Sequence, residues 1–157
     1  MGRRSRGTTF VLCLVSLAAG MALTWALSRK KTPDEPARAV ATGELNWVDV
    51  LEVKGALRAV LWGDPDKGAY GAWNKWPSGT DAGTHTQSAD SKAVVMAGTI
   101  VLSLEGGPEK ELSAGSYFHV PANQVRSMKC KEGSDCIFFA EQPEKFDFKL
   151  VKAAEKK

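Results

Sequence analysis

No long stretch between residues 44 and 151 holds a 3.6-residue apolar period, and glycine and proline interrupt the chain repeatedly. That pattern argues against a helical core. Between the interruptions lie short runs rich in Val, Ile and aromatic residues, at 59–62, 69–76, 93–104, 116–120, 125–130, 136–140 and 146–151. The cluster Gly63-Asp64-Pro65-Asp66-Lys67-Gly68 ends the first run, Pro77-Ser78-Gly79 the second and Gly106-Gly107-Pro108 the third. Short strands with this punctuation predict an all-β sandwich or barrel. Gly98 falls inside the 93–104 run, where it predicts a bulge or sharp bend of the kind that closes a barrel.

Charge divides the chain in two. The net charge is +3, yet Arg3, Arg4, Arg6, Arg29, Lys30 and Lys31 all fall in the first 31 residues, which hold no acid. From residue 32 onward, 15 basic residues face 18 acidic ones. The body of the protein therefore has no surplus of cations for phosphates, and nucleic-acid binding is not expected. The cations at the start flank an uncharged apolar run from Phe10 to Leu27. Eighteen residues sit at the threshold for a membrane-crossing helix, and the run also resembles a signal peptide. Residues 1–31 thus read as a signal peptide or a membrane anchor, with 8–27 as the segment that would hold the chain to an inner membrane. Residues 32–43, with Pro33 and Pro36, read as a linker, 44–151 as the folded domain and 152–157 as a polar tail.

Two motifs carry a more specific signal. The first is Gly79, five residues, His85, Thr86, Gln87, three residues, Ser91, six residues, Gly98. The second is Gly115, five residues, Pro121, Ala122, Asn123, two residues, Arg126, three residues, Cys130. In spacing these resemble the two motifs of the cupins, G-x5-H-x-H-x3,4-E-x6-G and G-x5-P-x-G-x2-H-x3-N. From Leu61 to Val151, stretches such as Leu61-Trp62-Gly63-Asp64 and His85-Thr86-Gln87-Ser88-Ala89-Asp90 look like a group of bacterial single-domain cupins of unassigned function, often exported. The resemblance implies an all-β, double-stranded jelly-roll (cupin) barrel, here preceded by an N-terminal apolar helix. It also makes a homodimer an expectation, since cupins often pair through their outer strands.

The spacings match and the ligand identities mostly do not. In a metal-binding cupin the two histidines of H-x-H share one face of a strand and aim into the barrel. Nitrogen ligands with one carboxylate suit Fe, Mn, Ni or Zn. In this chain only His85 matches a ligand. Gln87, Ser91 and Arg126 stand where the other three belong, and a guanidinium cannot ligate. A dication about 5 Å from Arg126 would meet repulsion of roughly 6–7 kcal/mol at an effective dielectric of 20. No cofactor is expected, with a residual divalent metal as the alternative. His85, Gln87 and Arg126 instead offer donors and one fixed charge suited to a carboxylate, phosphate or other oxyanion. Lys92 is a candidate second charge. The competing reading pairs Arg126 with an acid such as Asp90 inside a filled barrel. His119 reads as a strand position beside the rim.

Cys130 and Cys136 bracket 131–135, which reads as a hairpin loop, and an exported domain favours a disulfide between them. Three functions stay open at this point. One is an envelope-located, periplasmic or extracellular module that binds a small molecule or anion at His85, Gln87, Ser91 and Arg126. The second is a metal-dependent cupin enzyme of oxygenase or isomerase type. The third is a non-catalytic interaction scaffold. The fold does not choose among them.

Overall fold

The computed structural model describes residues 37–151. The signal peptide or anchor with its apolar helix, residues 32–36 of the linker and the polar tail lie outside the described residues. Among those described there is no α-helix, and no helix is long and apolar enough to cross a membrane. A 3-10 turn at Thr42–Glu44 leads into strands.

In chain order the strands are β1 (Val48–Asp49), β2 (Leu57–Gly63), β3 (Tyr70–Trp76), β4 (Asp81–Thr86), β5 (Ser91–Ala97), β6 (Thr99–Leu104), β7 (Lys110–Ser113), β8 (Tyr117–Val120), β9 (Arg126–Cys130), β10 (Cys136–Gln142) and β11 (Lys149–Leu150). They form one sheet in the order β1-β2-β3-β10-β5-β8 and a second in the order β11-β4-β9-β6-β7, all neighbours antiparallel. From β3 onward each strand crosses to the other sheet, except at the β6–β7 hairpin. This alternation wraps the chain into the jelly roll.

The 93–104 run is not one bent strand. It breaks at Gly98 into β5 of one sheet and β6 of the other, so Gly98 is the corner where the chain changes sheets. Its φ of +72° is open to glycine and strained for other residues, and a Cβ there would lie 2.5 Å from the Asp135 carbonyl oxygen. The expected strand at 146–151 shrinks to Lys149–Leu150. Strands β1 and β7 carry almost no apolar signal, since each is a short edge strand built largely of polar or exposed residues.

Alternation along the inner strands sorts the interior into layers. Strand β10 buries Cys136, Phe138, Ala140 and Gln142, and its partner β3 buries Trp76, Asn74, Ala72 and Tyr70 opposite them in that order. Strand β9 buries Cys130, Met128 and Arg126. One end of the barrel is therefore apolar and the other carries Tyr70, Gln142 and Arg126. The apolar end holds Val95 and Ile100, each fully buried and contributing roughly 1.5–3 kcal/mol. The Cys130–Cys136 disulfide closes that end. Its two strands lie in different sheets, so residues 131–135 are not a hairpin loop but a crossing between sheets, and the disulfide staples one sheet to the other.

Candidate functional site

A cavity of about 60 Å³ lies between the sheets above the apolar layer. His85, Gln87, Ser91 and Arg126 all line it, so the four motif positions do converge. Each is placed by a local feature of the chain. His85 sits on β4 after an irregularity between Asp81 and Thr84 in its pairing with β9. Gly83 there has a φ of +65°, and its amide donates to Asp81 Oδ1 at 2.7 Å. The displaced Gly83 carbonyl lies 3.0 Å from His85 Nδ1. Gln87 follows β4, and its carbonyl accepts from the amide of Asn123 at 2.7 Å. Asn123, where cupins carry glycine, adopts a φ of +62°, which Asn tolerates better than most residues. Ser91 opens β5 opposite Val120, and Arg126 opens β9 opposite His85.

Arg126 is 4% exposed and fixed at two points. Its Nε–H donates to His85 Nε2 at 3.1 Å, and an Nη2–H donates to Gln87 Oε1. Because a guanidinium only donates, His85 must accept at Nε2 and carry its proton at Nδ1, toward the Gly83 carbonyl. Burial pushes the imidazole down to about 4, against the upward pull of the Gly83 contact, and Arg126 adds to the fall. His85 is thus neutral, with both nitrogens engaged and its ring stacked on Phe148 at 4.3 Å.

No carboxylate lies within 4 Å of Arg126 among the described residues. Burial pushes its guanidinium down to about 10, while Tyr70 and Asp147 hold it up, and it remains a cation at neutral pH. Two of its five N–H groups are used, leaving three without a protein acceptor among the described residues. The pairing with Asp90 that the competing reading requires is not formed. Asp90 accepts from the Ala122 amide at 2.9 Å and lies 3.4 Å from His119 Nε2 at the exposed rim. Lys92 is also not a cavity cation, since it points outward, 3.9 Å from Glu141. The second cavity cation is Arg58 on β2, which the motif spacing does not reach. Its position opposite inward-facing Asn74 reveals it only once the register is known. Gln142 was also missed by the motifs. Its Nε2 donates to Gln87 Oε1 at 2.8 Å, and its buried Oε1 has no donor among the described residues.

These residues do not fit the metal that cupins commonly hold. The one histidine of the set has its ligating lone pair filled by Arg126, and the next groups are an amide, a hydroxyl and a buried cation. Among the described residues no three His, Cys, Asp or Glu side chains gather into a metal-binding group.

A family model with the description "Domain of unknown function (DUF4437)" matches residues 35–148. Among solved structures the chain is similar to the polyketide cyclase RemF from Streptomyces resistomycificus, with a TM-score of 0.64 and 16% identity over 76% of this chain and 89% of that one. It is similar to KdgF from Halomonas sp., with a TM-score of 0.56 and 22% identity over 68% of this chain and 94% of that one. A cupin 2 conserved barrel domain protein from Rhodopseudomonas palustris gives a TM-score of 0.59 and 14% identity over 75% of this chain and 88% of that one. At these identities the likeness establishes the cupin fold. No curated protein matches the chain.

Proposed function

The chain belongs to the family described as a domain of unknown function (DUF4437), and from that premise we propose that its cupin barrel is a binding module that seats a small carboxylate or related oxyanion on Arg126, without a metal. The observation that carries this reading is the buried guanidinium without a carboxylate partner, facing a cavity with three donors to spare. A buried charge is costly unless it is paired, and an anionic ligand is the partner that would complete it. His85 is a poor general base here, because its Nε2 lone pair already accepts from Arg126. That favours binding over acid–base chemistry and sets the metal-dependent enzyme reading below it.

The test is calorimetric titration of the full-length chain with acetate and formate, beside Arg126→Ala. Binding to the wild type that vanishes in the variant supports the reading. An equally strong response in both would sink it.

The same proposal places the domain outside the cytoplasm. Its supports are the cation-flanked apolar run in residues 1–31 and the disulfide, which persists in oxidising compartments. A fusion of residues 1–40 to a reporter active only outside the cytoplasm should be active, and an inactive cytoplasmic fusion would reject the placement.

A further inference from the structure

Arg58 gives the cavity a second guanidinium. It lies on β2 of the six-stranded sheet, whereas Arg126 lies on β9 of the five-stranded sheet, so the two cations approach the cavity from opposite walls. Arg58 is held by stacking more than by hydrogen bonding. Its guanidinium carbon sits 4.0 Å from the centre of the Phe146 ring and 5.4 Å from that of Tyr70, and its one side-chain hydrogen bond runs from Nε to Asn74 Oδ1 at 3.5 Å. No carboxylate lies within 4 Å of it among the described residues.

Among the described residues no Asp or Glu lines the cavity, although acids outnumber bases from residue 32 onward. With His85 neutral, the lining carries two positive charges and no negative one. Two cations facing one small, partly desolvated space repel each other and focus a field that selects anions. Tyr70 lies within the electrostatic reach of both and lines the same cavity. Its hydroxyl makes no hydrogen bond to the described residues and stays protonated, since burial raises it more than Arg58 and Arg126 lower it. It is a neutral donor within the same space.

We propose that the ligand is a small dicarboxylate, one carboxylate on Arg126 and the other on Arg58, with the Tyr70 hydroxyl as a neutral donor in the same cavity. The proposal rests on the oxyanion reading above and deepens it. Two carboxylates at the ends of a short chain answer cations on opposite walls. The cavity is small, about 60 Å³, so the acid it seats is a short one.

The experiment is calorimetric titration of the full-length chain with succinate, acetate and inorganic phosphate at constant ionic strength. Wild-type protein, Arg58→Met and Arg58→Lys are compared, each checked for a native near-ultraviolet dichroism spectrum. Succinate should bind the wild type at least tenfold more tightly than acetate. Arg58→Met should bring that ratio close to one, and Arg58→Lys should leave an intermediate ratio. Equal affinity for succinate and acetate in the wild type, an unchanged ratio in Arg58→Met, or phosphate binding more tightly than succinate would each overturn the dicarboxylate proposal. Acetate binding that depends on Arg126 would survive those outcomes and keep the simpler reading. No binding of any of the three acids would overturn both.

Discussion

Arg126 donates its Nε–H to His85 Nε2 at 3.1 Å, and in doing so occupies the lone pair that a cupin metal would take. The substitution of the second-motif histidine by arginine does more than delete a ligand. It installs a cation that uses up the remaining one.

The first prediction follows from that pairing. The protein should hold far less than one equivalent of any transition metal after dialysis, measured by elemental analysis. The four motif positions still line one cavity, so Gln87→His, Ser91→Glu and Arg126→His together should recover binding close to one equivalent of Zn or Ni. Stoichiometric, tightly held metal in the unmodified protein would bring the metalloenzyme reading back.

The second concerns acid. His85 titrates near 4 in the folded barrel and near 6.5 when unfolded. Between those values the unfolded chain binds more protons, so stability falls as pH drops from 6.5 toward 4 and levels off above 6.5. The slope from this one group is at most about 1.4 kcal/mol per pH unit. Urea unfolding of wild type and His85→Asn at pH 4.5, 5.5, 6.5 and 7.5 should show a shallower slope in the variant. Parallel slopes would mean that His85 is not held neutral by the fold.

Much of this architecture is legible in the sequence, for definite reasons. Motif spacings mark turns, and turns fix where strands begin, so Gly79, Gly98, Gly115 and Pro121 place the barrel and bring His85, Gln87, Ser91 and Arg126 to one cavity. What spacing does not carry is the partner of each side chain. The bulge at Gly83 turns a carbonyl onto His85, and the register of β2 against β3 brings Arg58 inward beside Asn74. Both depend on pairing between distant strands. For the same reason the sequence offers Lys92 as a cavity cation where it faces outward, and reads Cys130 and Cys136 across a hairpin where they tie two sheets together.

The third prediction tests the corner at Gly98. Alanine there would force a left-handed φ on a residue with a Cβ and press that Cβ against the Asp135 carbonyl and Cys136 Cα, 2.9 Å away. Backbone atoms of the facing segment, tied by the disulfide, cannot easily yield. Gly98→Ala should lose roughly 2–4 kcal/mol of stability, combining conformational strain with the clash. A loss under about 0.5 kcal/mol in denaturant unfolding would contradict the corner geometry.

The fourth concerns the sheet-to-sheet staple. Cys130 and Cys136 are almost fully buried and close a very short loop. The chain-entropy contribution of such a loop is about 2 kcal/mol. Changing both cysteines to Ser should cost that much and more, because two hydroxyls would replace sulfur in an apolar layer. Non-reducing peptide mapping of protein made in an oxidising compartment should recover the linked pair. Two freely alkylatable thiols in native protein would reject it.

The last prediction separates a ligand anchor from a structural filler. If Arg126 served only to hold the barrel together, removing it would destabilise the fold, as deleting one partner of a buried polar network does. If its charge is kept for a ligand, the empty protein bears the desolvation of an uncompensated cation, consistent with the fall of its pKa to about 10. Arg126→Met keeps the length and bulk of the side chain and removes the charge. It leaves Gln87 Oε1 with its second donor, Gln142 Nε2 at 2.8 Å, and only His85 Nε2 loses its partner. The expected result is a melting temperature equal to or above that of the wild type, together with loss of carboxylate binding. Arg126→Lys should retain weak binding, since an ammonium keeps the charge without the two-pronged fork. A melting temperature lowered by more than about 5 °C in Arg126→Met, roughly 1 kcal/mol for a domain of this size, would assign the residue to the fold instead of to a ligand.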